Sequence, residues 1–271
     1  MLKTRVITAI VGICIAIGAI TYGGLLYNGL VALLTIVGWR EFLVMMKRRK
    51  IELPYVWGYP AVIIVMGCLL AGAYTTALAA VVVLYLLLGV YYTFSARSNE
   101  LTAIAYGCLG FTYTVSGMAA LILLRDHTVY EVFRLSFIPT SPGVYYLWLL
   151  LLCTWASDTF AYFAGRLWGK RKIVPRISPN KTLEGFIGGF IGCICTGLLY
   201  AFIAGIAVHD GIAIGALVGV TAPLGDLFES KLKRDSGVKD SGVLLPGHGG
   251  VLDRFDSLLF AAPLTLAYLL V

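Results

Sequence analysis

The chain has 271 residues, 59% of them hydrophobic and only 13% charged, with a mean hydropathy of +0.89. That balance excludes a soluble globular domain and puts the chain in a lipid bilayer. Its 21 basic residues outnumber the 14 acidic ones for a net charge of +7, and the positions of those basic residues decide what the charge means.

The apolar runs are continuous rather than alternating, which points to helices and away from a membrane β-barrel. They predict an all-α integral membrane protein, a polytopic bundle of about nine spans. In order these fall at roughly 6–22, 26–46, 59–72, 74–94, 101–124, 143–165, 184–208, 211–229 and 255–271, set against the ~20 residues that cross a bilayer core. The third is short, and the second carries Arg40 and Glu41 near its end. MLKTR followed by an apolar run has the outline of a signal peptide, but the run is long and shows no small-x-small cleavage site, so it reads as the first span.

With the N-terminus cytoplasmic and the C-terminus external, 19 of the 21 Lys and Arg residues lie on inner segments; only Arg125 and Arg134 lie outside. The net charge therefore calls for no nucleic-acid partner, although such a face attracts anionic headgroups and nucleotides. Residues 1–142 read as a scaffold of about five spans with almost no ionisable group inside the membrane. Residues 143–271 read as the catalytic region, with cytoplasmic loops at 166–183 and 230–254.

The six cysteines all fall inside predicted spans without a CxxC pair, which suits buried small hydrophobes. The three histidines are scattered and form no HExxH, against a zinc hydrolase.

Chemistry concentrates in three inner segments. In WASDTFAYFAGRLWGK, Asp158 stands about 15 residues into its helix, ~22 Å of rise. A carboxylate there should face the bundle interior, either ion-paired to a base such as Arg166 or binding a metal or substrate hydroxyl. In SPNKTLEG, Ser178 and Pro179 suit an N-cap and first helical residue, and the free N–H groups of such a start, with Lys181 and Thr182 beside them, also suit phosphate. In PLGDLFESKLKR, the spacing of Asp226, Glu229, Ser230 and Lys233 sets them on one helix face, with Asp226 at a depth similar to Asp158. Beyond a glycine-rich loop come Asp253 and Asp256, three apart at the start of the last span, either easing a helix dipole or binding a cation. Carboxylates gathered without Cys or His suit Mg²⁺ rather than zinc.

The run SKLKRDSGVKDSGVLLPGHGGVLDRFD, Ser230 to Asp256, resembles the signature of the phosphatidate cytidylyltransferases, or CDP-diacylglycerol synthases. SPNKTLEG and SDTFAYFAGRLWGK resemble that family's preceding segments. The resemblance is strongest from Trp155 to Asp256; the N-terminal half is similar mainly in hydropathy. It implies an enzyme that joins CTP and phosphatidic acid into CDP-diacylglycerol and pyrophosphate with Mg²⁺, a second cation being left open. It further implies a homodimer; the count of basic residues turns the site to the cytoplasm, and the compact chain points to a plasma or inner membrane.

Under that resemblance Asp226 and Asp253 become metal ligands, and Asp256 a further carboxylate. Lys233, Arg234, Lys239 and Arg254 would hold the triphosphate or the lipid phosphate, with Ser178, Lys181 and Thr182 at the neighbouring helix start and Asp158 and Ser230 beside the substrates. Gly247, Gly249 and Gly250 would admit phosphate close to the backbone. His248 suits a hydrogen bond to phosphate better than proton abstraction. Two other readings stand: a CTP-dependent polyprenol- or phytol-type lipid kinase, and a cation transporter using Asp158 and Asp226.

Overall fold

A computed structural model describes residues 2–53, 55–95, 100–126, 142–242 and 249–271, with side chains left aside at 2–9, 55–57 and 100. The described chain is helical throughout: α1 (Leu2–Tyr22), α2 (Gly24–Arg48), α3 (Tyr55–Leu70), α4 (Tyr74–Phe94), α5 (Glu100–Phe111), α6 (Gly117–Asp126), α7 (Pro142–Trp168), α8 (Leu183–Ala204), α9 (Val208–Asp235) and α10 (Leu252–Leu270). A π-helical turn, Thr112–Ser116, joins α5 to α6.

Among the described residues, six helical stretches are long and apolar enough to cross a membrane: Gly24–Arg48, Tyr74–Phe94, Leu101–Asp126, Pro142–Trp168, Leu183–Ala204 and Val208–Asp235. Ile10–Tyr22 and Gly58–Leu70 are shorter apolar helices. The protein is thus a polytopic helical membrane protein, and these six stretches coincide with six of the nine predicted spans.

The chain forms two compact units, residues 1–122 with 232–254, and residues 123–231 with 255–271. The stretch 232–254 therefore packs with the N-terminal helices.

In the first unit, Trp39, Phe42, Met45, Met46, Phe111 and Met118 are buried. Trp39 stacks on Phe42 at 5.7 Å between centroids and meets Phe111 edge-on at 6.3 Å, arrangements aromatic quadrupoles favour. Gly110 makes room for the Phe42 ring, since a Cβ there would lie 2.1 Å from it.

The second unit is held by backbone-to-backbone helix packing. A Cβ on Gly197 of α8 would lie 2.0 Å from the Gly211 carbonyl oxygen of α9, and one on Gly189 would lie 2.9 Å from the Ser157 carbonyl oxygen of α7. Lipid supplies no hydrophobic drive between helices, so small residues that let backbones approach carry the association. Cys153 and Cys193 are buried at this interface, each thiol donating to the other's carbonyl at 3.6 and 3.1 Å. Cys14 and Cys195 are exposed, so burial does not account for them; on an apolar helix surface a thiol behaves as one more small hydrophobe.

Candidate active site

The entry to α8 differs from the expected one. Thr182, not Ser178, is the N-cap: its backbone is extended and its hydroxyl accepts the Gly185 N–H at 3.1 Å. The reason is competition for backbone bonds. Ile173 N–H donates to the Lys181 carbonyl at 3.2 Å, and Leu183 N–H to the Arg171 carbonyl at 2.8 Å, an antiparallel bridge between Lys172 and Thr182. That pairing keeps residues up to Thr182 out of the helix. Glu184 then closes the loop by accepting the Lys170 N–H at 3.0 Å and the Arg171 N–H at 3.2 Å.

This clasp delivers Lys181 to α9. Its ammonium lies 2.6 Å from Asp226 Oδ2 as an ion pair, and the Ser230 hydroxyl donates to Asp226 Oδ1 at 3.2 Å, as the i, i+4 spacing anticipates. Asp158 lies within electrostatic reach of both Asp226 and Lys181. Its side chain keeps open surface on α7, and it faces the charges of Asp226 and Lys181. Arg166 does not pair with it but donates to the Tyr162 hydroxyl at 3.3 Å. Asp158, Lys181, Asp226 and Ser230 therefore form one polar cluster in the second unit. Asp256 approaches it along α10, because Gly225 brings α9 close: a Cβ there would lie 2.4 Å from the Asp256 carbonyl oxygen.

The expected loop 230–254 is shorter than its polar composition suggests. α9 continues through Asp235 and ends in a Schellman turn, with Gly237 at φ 66°, Gly237 N–H on the Arg234 carbonyl and Val238 N–H on the Lys233 carbonyl. Ser230, Lys233 and Arg234 are thus helical, and α10 resumes at Leu252.

In the first unit, Asp253 holds the far end of this loop. Its Oδ1 accepts from the Lys233 ammonium at 2.6 Å; its Oδ2 accepts from Ser241 N–H at 2.8 Å, Ser241 Oγ at 2.9 Å and Gly250 N–H at 2.8 Å. Burial pushes the Asp253 carboxyl upward, but the Lys233 hydrogen bond and charge and the two amides outweigh it and hold it below the ordinary carboxylate value. Gly249 takes φ 85°, and a Cβ there would lie 2.6 Å from Asp253 Oδ2. Arg234, Lys239 and Arg254 are exposed, and Arg234 donates to the Val238 carbonyl at 3.5 Å. Gly247 and His248 lie outside the described residues. Among the described residues no group of three or more His, Cys, Asp and Glu side chains converges as a metal site.

One residue of the N-terminal half also reaches this loop. Glu41 of α2 is buried and accepts from Ser241 Oγ at 3.0 Å, Val251 N–H at 2.9 Å and Leu252 N–H at 3.0 Å. Its sequence signal is a carboxylate inside the apolar run IVGWREFLVMM, noted above only as a blemish on the second span.

Basic and acidic side chains paired on polar segments beside apolar spans define the class: a polytopic helical membrane protein with paired charges in each of its two units. The description of a cytidylyltransferase family matches residues 3–271, and the chain belongs to that family. It is 33% identical to the phosphatidate cytidylyltransferase of Staphylococcus haemolyticus, 34% to that of Staphylococcus saprophyticus and 35% to one from Staphylococcus epidermidis. Each alignment covers 97% of both chains.

Proposed function

We propose that this protein is a phosphatidate cytidylyltransferase of a bacterial plasma membrane, acting at the cytoplasmic face. The observation that carries the reading is the seating of two lysines on two carboxylates, Lys181 on Asp226 and Lys233 on Asp253, within segments that resemble the family signature. Each pair offers one group for phosphate and one for a cation, which is what a site that brings a nucleotide triphosphate to a lipid phosphate requires.

In the reaction, a phosphate oxygen of phosphatidic acid attacks the α-phosphorus of CTP, forming one P–O bond while the bond to pyrophosphate breaks. Such transfers depend on positioning and charge neutralisation more than on protein covalent chemistry. Lys181 and Lys233 neutralise phosphate oxygens. Arg234, Lys239 and Arg254, exposed beside the signature loop, gather the triphosphate or the lipid headgroup. Ser178, Thr182 and Ser230 line the approach, and Gly249 and Gly250 keep the backbone free of side chains that would hold phosphate off. His248 donates a hydrogen bond to phosphate rather than abstracting a proton.

The carboxylates fit Mg²⁺: all donors are hard oxygens, and two of them already hold a cationic ammonium at 2.6 Å. Magnesium ordinarily takes one or two carboxylates and completes its shell with water and substrate phosphate, so a triad is not needed. The family resemblance makes Asp226 in one unit and Asp253 in the other its candidate ligands, with Asp256 as a further carboxylate. When bound it would supply Lewis-acid neutralisation of the phosphates. Nine spans with a cytoplasmic N-terminus, the acyl chains remaining in the bilayer and a homodimer complete the proposal.

The test is transfer of label from CTP to phosphatidic acid by the purified protein with Mg²⁺. Label from α-labelled CTP should enter lipid with release of pyrophosphate. Label entering lipid only from γ-labelled CTP would make the protein a lipid kinase, and cation flux in proteoliposomes without CTP turnover would make it a transporter.

A further inference from the structure

We infer that Glu41 is a positioning residue for the reaction, setting the signature loop and through it the Asp253–Lys233 pair; this rests on the reading of that pair as part of the reaction site. Three donors converge on its carboxylate: the Ser241 hydroxyl and the first two N–H groups of the α10 start, at 2.9 to 3.0 Å. Helix-start N–H groups have no partner within their own helix, and here a buried acidic group from a distant segment satisfies them.

Ser241 links the two carboxylates, since its oxygen lies 3.0 Å from Glu41 Oε2 and 2.9 Å from Asp253 Oδ2. A hydroxyl carries a single proton, so one contact is the donated bond at any moment. The Ser241 and Gly250 amides hold Asp253 in either case. Asp253 in turn fixes Lys233 at 2.6 Å.

The glycines of the signature agree. A Cβ on Gly242 would lie 2.3 Å from Glu41 Oε1, and one on Gly250 would lie 2.4 and 2.5 Å from its two oxygens. Both therefore leave space that the Glu41 carboxylate fills, beyond any role in admitting phosphate. An anchor that only stabilised the fold would need no link to Asp253. Here Glu41 fixes Ser241 and the Val251–Leu252 turn, and the amides that hold Asp253 belong to Ser241 itself and to Gly250 next to that turn.

The experiment compares Glu41→Gln, Ser241→Ala, the double variant and Asp253→Asn in full-length protein in lipid nanodiscs, assayed with CTP and phosphatidic acid and scaled to folded protein by thermal unfolding. Glu41→Gln should lower kcat by about 10–100-fold, the usual range for partners that orient a ligand. KM for phosphatidic acid should stay within about twofold, the pattern of lost transition-state rather than ground-state interaction. The double variant should be no slower than the slower single one, because both changes break one chain of bonds. Wild-type kcat in Glu41→Gln or Ser241→Ala, or additive losses in the double variant, would overturn the inference while an inactive Asp253→Asn leaves the site intact. An active Asp253→Asn would instead remove the site reading and the inference with it. Should Glu41→Gln not fold, Ser241→Ala decides alone, since it spares both amide bonds to Glu41 and removes only the hydroxyl that touches Glu41 and Asp253.

Discussion

Asp226 and Asp253 are held by different means, and their variants should differ accordingly. Asp226 has a lysine and a serine hydroxyl, both from side chains that can turn away. Asp253 has two backbone amides as well and is part of the loop's own structure. Asp226→Asn should abolish turnover with the unfolding midpoint unchanged, measured by labelled-CTP assay and by thermal unfolding. Asp253→Asn should abolish turnover and lower the midpoint as well, because an amide can no longer accept from every donor around it. Lys181→Ala should cut kcat by about 10²–10³-fold, as removal of one preorganised charge donor does elsewhere; retention of more than a tenth of the activity would take Lys181 out of phosphate binding. Thr182→Ala should cost ~1 kcal/mol of stability as a lost N-cap.

At the scale of the element, α8 shows how a local signal is overridden. Ser178-Pro179 has good helix-start chemistry, yet the bridge between Lys172 and Thr182 claims the backbone bonds first, and the helix opens at Leu183. The gain is that Lys181 stands on the bridged segment before the helix rather than within a helical turn, and reaches Asp226. The same helix is pressed against α9 through Gly197 and Gly211. Gly197→Leu should therefore separate α8 from α9, costing at least the ~1–3 kcal/mol of overpacking, read as a fall in unfolding midpoint and in purified yield. A stability unchanged by leucine would mean the helices are not held at backbone contact.

For the whole molecule, the charge distribution makes a prediction independent of any chemistry. In a cysteine-free background, Arg171→Cys and Lys239→Cys should react with an impermeant thiol reagent in inside-out membrane vesicles and not in intact cells. The opposite pattern would reverse the topology and put the proposed site on the wrong side for CTP.

Much of this was readable from residues alone. Helical spans follow from runs of apolar side chains because lipid forces backbone groups to bond within a helix, a local requirement that needs no tertiary partner. The i, i+4 bond from Ser230 to Asp226 follows from helical periodicity in the same way. The full-length match to the cytidylyltransferase family agrees with what the Ser230–Asp256 pattern implied. The true N-cap, the pairing of Lys181 with Asp226 and above all Glu41 depended on tertiary structure. Glu41 stands 200 residues from Ser241, and no periodicity links positions so far apart. Only the folding of the 232–254 stretch onto the N-terminal helices sets a carboxylate of the second helix against the N–H groups of the last.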